Sequence, residues 1–308
     1  MRPSDLMETP GTSKAAPESL REKLARMVRD WSMECTLPKP ADFAALREHA
    51  PPNSRIYLSA LPDVPPAQLV EIARQTKAAG FNPVPHLAVR NFRGGGEVRE
   101  ILHSFREEAG VERVLVIAGD RSKPLGPFAS SLQLIESGLL QEAGIASLDI
   151  AGYPDGHPKI AHQDLMKALH TKIHVARANQ LEVRVVTQFC FDVKTLMSWL
   201  MKIRFDFPDL PISIGFAGPA TLATLFKFAL HCGVRATARG LGRGLSLIGN
   251  LNSGATPLRM ITTLANGWPA LETYPFKLHF YSFGGISKTA SWARSLSRGE
   301  IELEKMAD

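Results

Sequence analysis

Residues 113–120 read RVLVIAGD, an unbroken apolar run closed by Gly119 and Asp120. Apolar side chains on both faces of a strand suit a parallel sheet covered by helices, not a half-exposed antiparallel one. Upstream lies a helical pattern, GEVREILHSFREEAG (96–110), and downstream another over about 128–142. The same alternation repeats along the chain. Further strands are read at 31–37, 55–60, 82–89, 146–153, 181–189, 211–217 and 277–283. Helices are read at 41–50, 65–80, 159–178, 192–203, 219–233 and from 284, with one or two extra short helices in 240–268.

Eight strand-to-helix units predict an α/β protein, a (β/α)8 TIM barrel, as a single domain over 29–308. Residues 1–28 are read as an N-terminal extension, flexible at its start. An open doubly wound sheet usually carries a glycine-rich turn after its first strand. Here that strand ends Glu34-Cys35-Thr36-Leu37-Pro38, so the barrel is preferred.

A barrel gathers its chemistry at the C-terminal ends of its strands. Those ends carry Glu34, Ser59, His86, Asp120, Tyr153 with His157, Gln188, Gly215 and Tyr281. Glu34 sits among apolar neighbours, which favour the protonated carboxyl and general-acid work; an ion-paired structural glutamate fits equally well. Asp120 reads as a mouth carboxylate or as a turn cap. The stretch AGYPDGHP (151–158) reads as a rigid loop presenting Tyr153 and His157, or as a plain turn. Gln188 offers a donor and an acceptor together, suited to reading a ring edge. Gly94–Gly96 reads as a flexible loop more readily than as a phosphate cradle.

The bulk composition excludes several classes. Charged residues are 21% and hydrophobic ones 44%, ordinary for a globular protein. No apolar run is long enough to span a bilayer, and the N-terminus lacks a secretory apolar stretch, so a cytoplasmic protein without membrane attachment is expected. Three cysteines, Cys35, Cys190 and Cys232, suggest neither a disulfide framework nor a thiolate metal site. A net charge of +6 without a basic stripe and aromatic platforms argues against nucleic acid. Arg235, Arg239 and Arg243 form one basic cluster, read as a solvated loop or an anion site. An acid, a second carboxylate, a histidine, an amide and aromatics, with no nucleophile motif or metal set, suit a bound organic cofactor.

At this point the chain resembles the flavin-dependent methylenetetrahydrofolate reductase family. The likeness rests on AGYPDGHPK and VTQFCFD, supported by VPHLAV, VLVIAGD and LHFYSF, in family order over about 31–297. It implies an oxidoreductase of one-carbon metabolism and methionine biosynthesis. Such an enzyme interconverts 5,10-methylenetetrahydrofolate and 5-methyltetrahydrofolate by hydride transfer through FAD. It implies catalytic roles for Glu34, the general acid, and Asp120, a carboxylate beside flavin and pterin. Gln188, Phe228 and Tyr281 match substrate-binding positions. Ser59, His86, Ala118, Gly119, Asp120, Phe128, Ala129, Tyr153, His157, Asp164, His170 and Lys172 match FAD-contacting positions, the last two near its phosphates. A folate substrate, polyglutamylated or not, and a homo-oligomer are expected, and the arginine cluster at 235–243 is a candidate holder of a polyglutamate tail.

The chain departs from the family pattern at several places. Cys35 and Thr36 replace an aromatic pair, Ala118 an arginine and Phe128 a tyrosine. The loop LPDVPP is short, and Gly284-Gly285 stands where polar residues are usual. These changes fall in the cofactor half. NAD(P)H is therefore one candidate electron donor and a partner protein another. A non-catalytic folate- or partner-binding protein of the same fold is the alternative.

Overall fold

The computed structural model describes residues 18–61, 64–232, 254–267 and 276–301. The arginine cluster at 235–243 lies outside them, as does the start of the N-terminal extension. The described strands are β1 Ser32–Cys35, β2 Arg55–Leu58, β3 Asn82–Ala88, β4 Arg113–Ile117 and β5 Ser147–Gly152. They continue with β6 Glu182–Thr187, β7 Ile212–Ala217, β8 Ala220–Thr221, β9 Gly254–Ala255 and β10 Lys277–Tyr281. Eight of them close a parallel barrel in the order β1-β10-β7-β6-β5-β4-β3-β2, the expected (β/α)8 fold, and β8 and β9 form a separate two-stranded ladder.

The helices are α1 Leu20–Val28, α2 Pro40–His49, α3 Pro66–Ala78, α4 Gly95–Ala109, α5 Ser131–Glu136 and α6 Leu139–Glu142. After them come α7 His162–Ala178, α8 Val193–Asp206, α9 Leu222–His231, α10 Leu258–Gly267 and α11 Ile286–Ser297. Prolines open α2 and α3, where their missing N–H costs nothing. Gly110, at φ 57°, ends α4 in the left-handed conformation.

Three elements differ from the sequence reading. The helix expected over 128–142 is broken into α5 and α6 by Gly138 at φ 78°, with the Ser137 hydroxyl accepting from the Leu139 N–H at 3.3 Å. Within 240–268, α10 is a full barrel helix packed on α8 and α1. The extension carries helix α1 at its end. Ser19 and Glu22 form a capping box that starts α1. Leu24, Met27 and Val28 then bury against β10, α10 and α11.

Pairing registers show which residues face the barrel axis. Tyr57, Leu115 and Val186 fill the interior with Val84, and His279 packs edge-on against Tyr57 at 4.7 Å. Two residues below them on the same strands stand Arg55, Arg113, Arg184 and Lys277. Two above stand Ser59, Ile117, Gln188 and Tyr281, at the mouth. Alternate strands thus contribute layers, as barrels of this kind require.

Candidate active site

Glu34 projects from β1 into the barrel, and its side chain is 20% exposed, open only toward the mouth. Oε1 accepts from the Ser59 hydroxyl at 2.8 Å, and Ser59 lies 3.0 Å from the Thr36 hydroxyl. Oε2 lies 3.7 Å from Nε2 of His86 and 4.0 Å from Nε2 of His279. These are not ion pairs. Burial lowers both imidazoles, His279 to about 3, so both are neutral near pH 7. Neither Nε2 has a hydrogen-bond partner among the described residues. His279 was not singled out from the sequence. It shares strand parity with Tyr281, and its Nδ1 sits 2.9 Å from the Ser32 hydroxyl.

Aromatic side chains form the far wall. Tyr281 donates its hydroxyl to the Thr187 carbonyl at 3.0 Å. Its ring comes close to Gly215, where a Cβ would stand 2.8 Å from Cε2 of the tyrosine. Helix α9 lays Phe228 on Phe283, centroids 4.1 Å apart and nearly parallel, while Phe189 packs edge-on against Tyr281 and Phe283. Cys232 at the end of α9 joins this cluster. Burial, then the charges of Glu34 and Asp120, push its thiol up to about 12, so it is an inert wall between the two carboxylates. Gln188 is fixed at both ends. Its N–H donates to the Gly152 carbonyl at 2.8 Å, and its side-chain oxygen accepts from the Phe189 N–H at 3.1 Å.

Asp120 stands exposed just beyond β4, after Gly119 at φ 88°. Burial and then the Asp120 charge raise the hydroxyl of Tyr153, whose ring meets His157 edge-on at 5.7 Å. Arg90 pins the loop above β4. Its N–H donates to the Ala118 carbonyl at 3.1 Å and its Nε to the Ala129 carbonyl at 2.8 Å. Phe128 is buried in the core there. Asp155, also missed from the sequence, accepts from the Phe191 N–H at 3.3 Å and so ties the loop after β5 to the loop after β6. Burial raises its carboxyl to about 6.

The structure therefore brings Glu34, Ser59, His86, Gln188, Tyr281 and Phe228 around one mouth, with Ala118–Asp120, Ala129, Tyr153 and His157 on its β4 and β5 side and Phe128 packed into the core behind them. The two members expected at the phosphates diverge. Lys172 on α7 is half-buried, desolvation lowers its amine to about 8, and no carboxylate lies within 4 Å among the described residues. His170 turns away, with Nε2 3.3 Å from Asp206 and its ring on Phe207. Asp164 is exposed in the first turn of α7. Beside His86 a cavity of about 280 Å³ runs outward between α3 and α4, lined by Leu61, Leu69, Ile101 and Arg93 among others. Among the described residues no group of three or more metal-ligating side chains gathers, and no helix is long and apolar enough to cross a membrane.

The sequence profile described as Methylenetetrahydrofolate reductase matches residues 67–236. A curated relative, 5,10-methylenetetrahydrofolate reductase of Pectobacterium carotovorum subsp. carotovorum, is 31% identical over 159 residues, 51% of this chain and 50% of that protein. The match thus spans about half the length of this curated relative. Among solved structures, an uncharacterized protein from Clostridium thermocellum, described as binding two copies of 5-methyl-5,6,7,8-tetrahydrofolic acid, superposes with a TM-score of 0.61. It is 14% identical and covers 91% of this chain and 99% of its own, a likeness of fold. The profile match runs through β3 to α9, the elements that build most of the mouth, and more than half of the chain lies within it: the chain belongs to the methylenetetrahydrofolate reductase family.

Proposed function

We propose that this protein is a flavin-dependent oxidoreductase that interconverts 5,10-methylenetetrahydrofolate and 5-methyltetrahydrofolate, with an electron donor other than NADH as an open choice. The observation that carries the reading is Glu34, a carboxyl at the strand ends held by Ser59 at 2.8 Å beside two neutral imidazoles, with a fifth of its side chain exposed. The residues present fit FAD. The amine of Lys172, half-buried and with no carboxylate within 4 Å among the described residues, is suited to a pyrophosphate, which would offset its charge. Ser59, His86, Gly119, Tyr153 and His157 would hold the flavin ring and its chain. When bound, FAD supplies the two-electron hydride chemistry that no side chain here can perform.

The chain's own residues supply proton handling and orientation. Glu34 gives a proton to the folate nitrogen that departs as the five-membered ring opens, and takes it back in the reverse direction. Ser59 fixes the rotamer of that carboxyl. Asp120 places negative charge at the mouth, where positive charge develops on the opened folate. Gln188, its side-chain oxygen occupied by Phe189, has its amide NH2 left to read the pterin edge. Phe228 and Tyr281 wall the site and exclude water.

The direct test is an anaerobic absorbance spectrum of FAD-loaded protein before and after 5-methyltetrahydrofolate. The expected result is bleaching of the oxidised-flavin band. Flavin that stays oxidised with bound folate would sink the redox reading, and folate binding with no flavin uptake would favour the non-catalytic alternative.

A further inference from the structure

The lower half of the barrel holds charge that the proposed chemistry does not use. Asp149 on β5 is fully buried and both its oxygens are committed. Oδ1 accepts from Arg113 at 2.8 Å, and Oδ2 accepts from the Tyr57 hydroxyl. Arg113 turns its other terminal nitrogen to Glu182 at 3.2 Å, and Lys277 pairs with Asp30 at the barrel edge. That leaves Arg55 and Arg184. Among the described residues neither has a carboxylate within 4 Å. The Nε of each is buried with no hydrogen-bond partner, and Arg184 reaches only the Ser213 hydroxyl, at 3.4 Å. The two also feel each other: burial, then the Arg55 charge, lowers Arg184.

A guanidinium does not give up its proton in a protein. Two like charges therefore share the lower barrel, each on a half-buried side chain whose Nε is sealed from solvent, and charges so placed are otherwise paired or hold an ion. A water could accept from an Nε–H but would leave the charge uncompensated. We propose that Arg55 and Arg184, with the Ser213 hydroxyl, hold a small inorganic anion, a halide or an oxyanion, on the barrel axis below Tyr57. Strands β2 and β6 lie on opposite sides of the closed barrel, so such an anion bridges it across its diameter. The Tyr57 and His279 layer separates it from Glu34. Its effect is on the stability of the closed barrel and not on the reaction.

The test compares melting of the full chain in gluconate with melting in chloride, bromide and phosphate at equal ionic strength. A rise of about 2–4 °C in the binding anion is expected, because the anion favours the native state alone. A rise in the halides names a halide, and a rise in phosphate alone names an oxyanion; both support the site. R184M should abolish the dependence, and R55M provides the same comparison if R184M fails to fold. A bromide-soaked crystal of the wild-type protein should show anomalous density between the two Nε atoms, or, for an oxyanion, tetrahedral density from a phosphate soak. Equal melting in all salts, with only a water at that place, overturns the proposal.

Discussion

The hydroxyl of Ser59 donates to Oε1 of Glu34 at 2.8 Å and locks the end of β2 to the carboxyl on β1. A carboxyl that must give and take a proton along one direction needs such a fixed rotamer. Ser59→Ala should slow the folate half-reaction about tenfold, the worth of one hydrogen bond to a carboxylate, while leaving the melting temperature nearly unchanged. Single-turnover stopped-flow with and without the hydroxyl reads this, and an unchanged rate would release Ser59 from its positioning role.

Removing the proton itself should cost more. Glu34→Gln keeps the shape and the Ser59 contact but cannot act as an acid. Folate turnover is expected to fall by about 10²–10⁴, the usual contribution of a general acid. Folate affinity should change only a few-fold. Equal turnover in the variant would remove Glu34 from catalysis.

Lys172 and His170 sit two residues apart on α7 with opposite surroundings. Lys172→Met should weaken FAD binding about tenfold, because a half-buried amine without an anion partner gains from a phosphate. His170→Ala, which loses contacts to Asp206 and Phe207, should leave FAD affinity within about twofold and lower stability instead. Flavin fluorescence titrations of both variants decide the matter; equal losses would place the phosphates elsewhere.

Asp155 predicts a pH dependence. Its carboxyl is raised from an ordinary 3.8 to about 6 by burial. Between those values the native state holds a proton that the unfolded chain has lost, so stability falls as pH rises through that window. Asp155→Asn should flatten this part of the curve. Urea denaturation at pH 4.5 and 7 would show it as a smaller difference in the variant than in the wild type; identical differences would exclude Asp155 as the source.

Gly215 tests the aromatic wall. A Cβ there would stand 2.3 Å from the Thr187 carbonyl oxygen and 2.8 Å from the Tyr281 ring. Gly215→Ala should destabilise the barrel by about 1–3 kcal/mol, the range for forced overpacking. Chemical denaturation measures it, and a neutral result would mean that β6 and β7 shift freely.

Much of the barrel was legible because each strand is a continuous apolar run and each helix has the 3.6-residue period; VLVIA is the clearest case. Glu34, Asp120 and Gln188 were legible as strand-end polar groups. His279 was not, because it sits inside LHFY and reads as part of an apolar strand until closure fixes which side faces the axis. The arginine layer was hidden too: Arg55 and Arg113 each open a strand, where a charged residue ordinarily reads as a solvated end, and Arg184 stands third in β6, where only closure shows that it faces the axis. Helix α1 escaped because its nine residues follow a polar tail, and only the Ser19–Glu22 box marks its start. That α9 lies over the mouth depends on Phe228 finding Phe283, a contact between segments far apart in sequence.

The ladder of β8 and β9 pairs Ala220 with Ala255 and Thr221 with Gly254. This ladder fastens the start of α9, which lies over the mouth, to the segment that leads into α10. Neither of its strands belongs to the eight that close the barrel. The molecule thereby separates two kinds of change: exchange of side chains on α9 retunes what the mouth admits, and the shell beneath continues to present the same acid from the same wall.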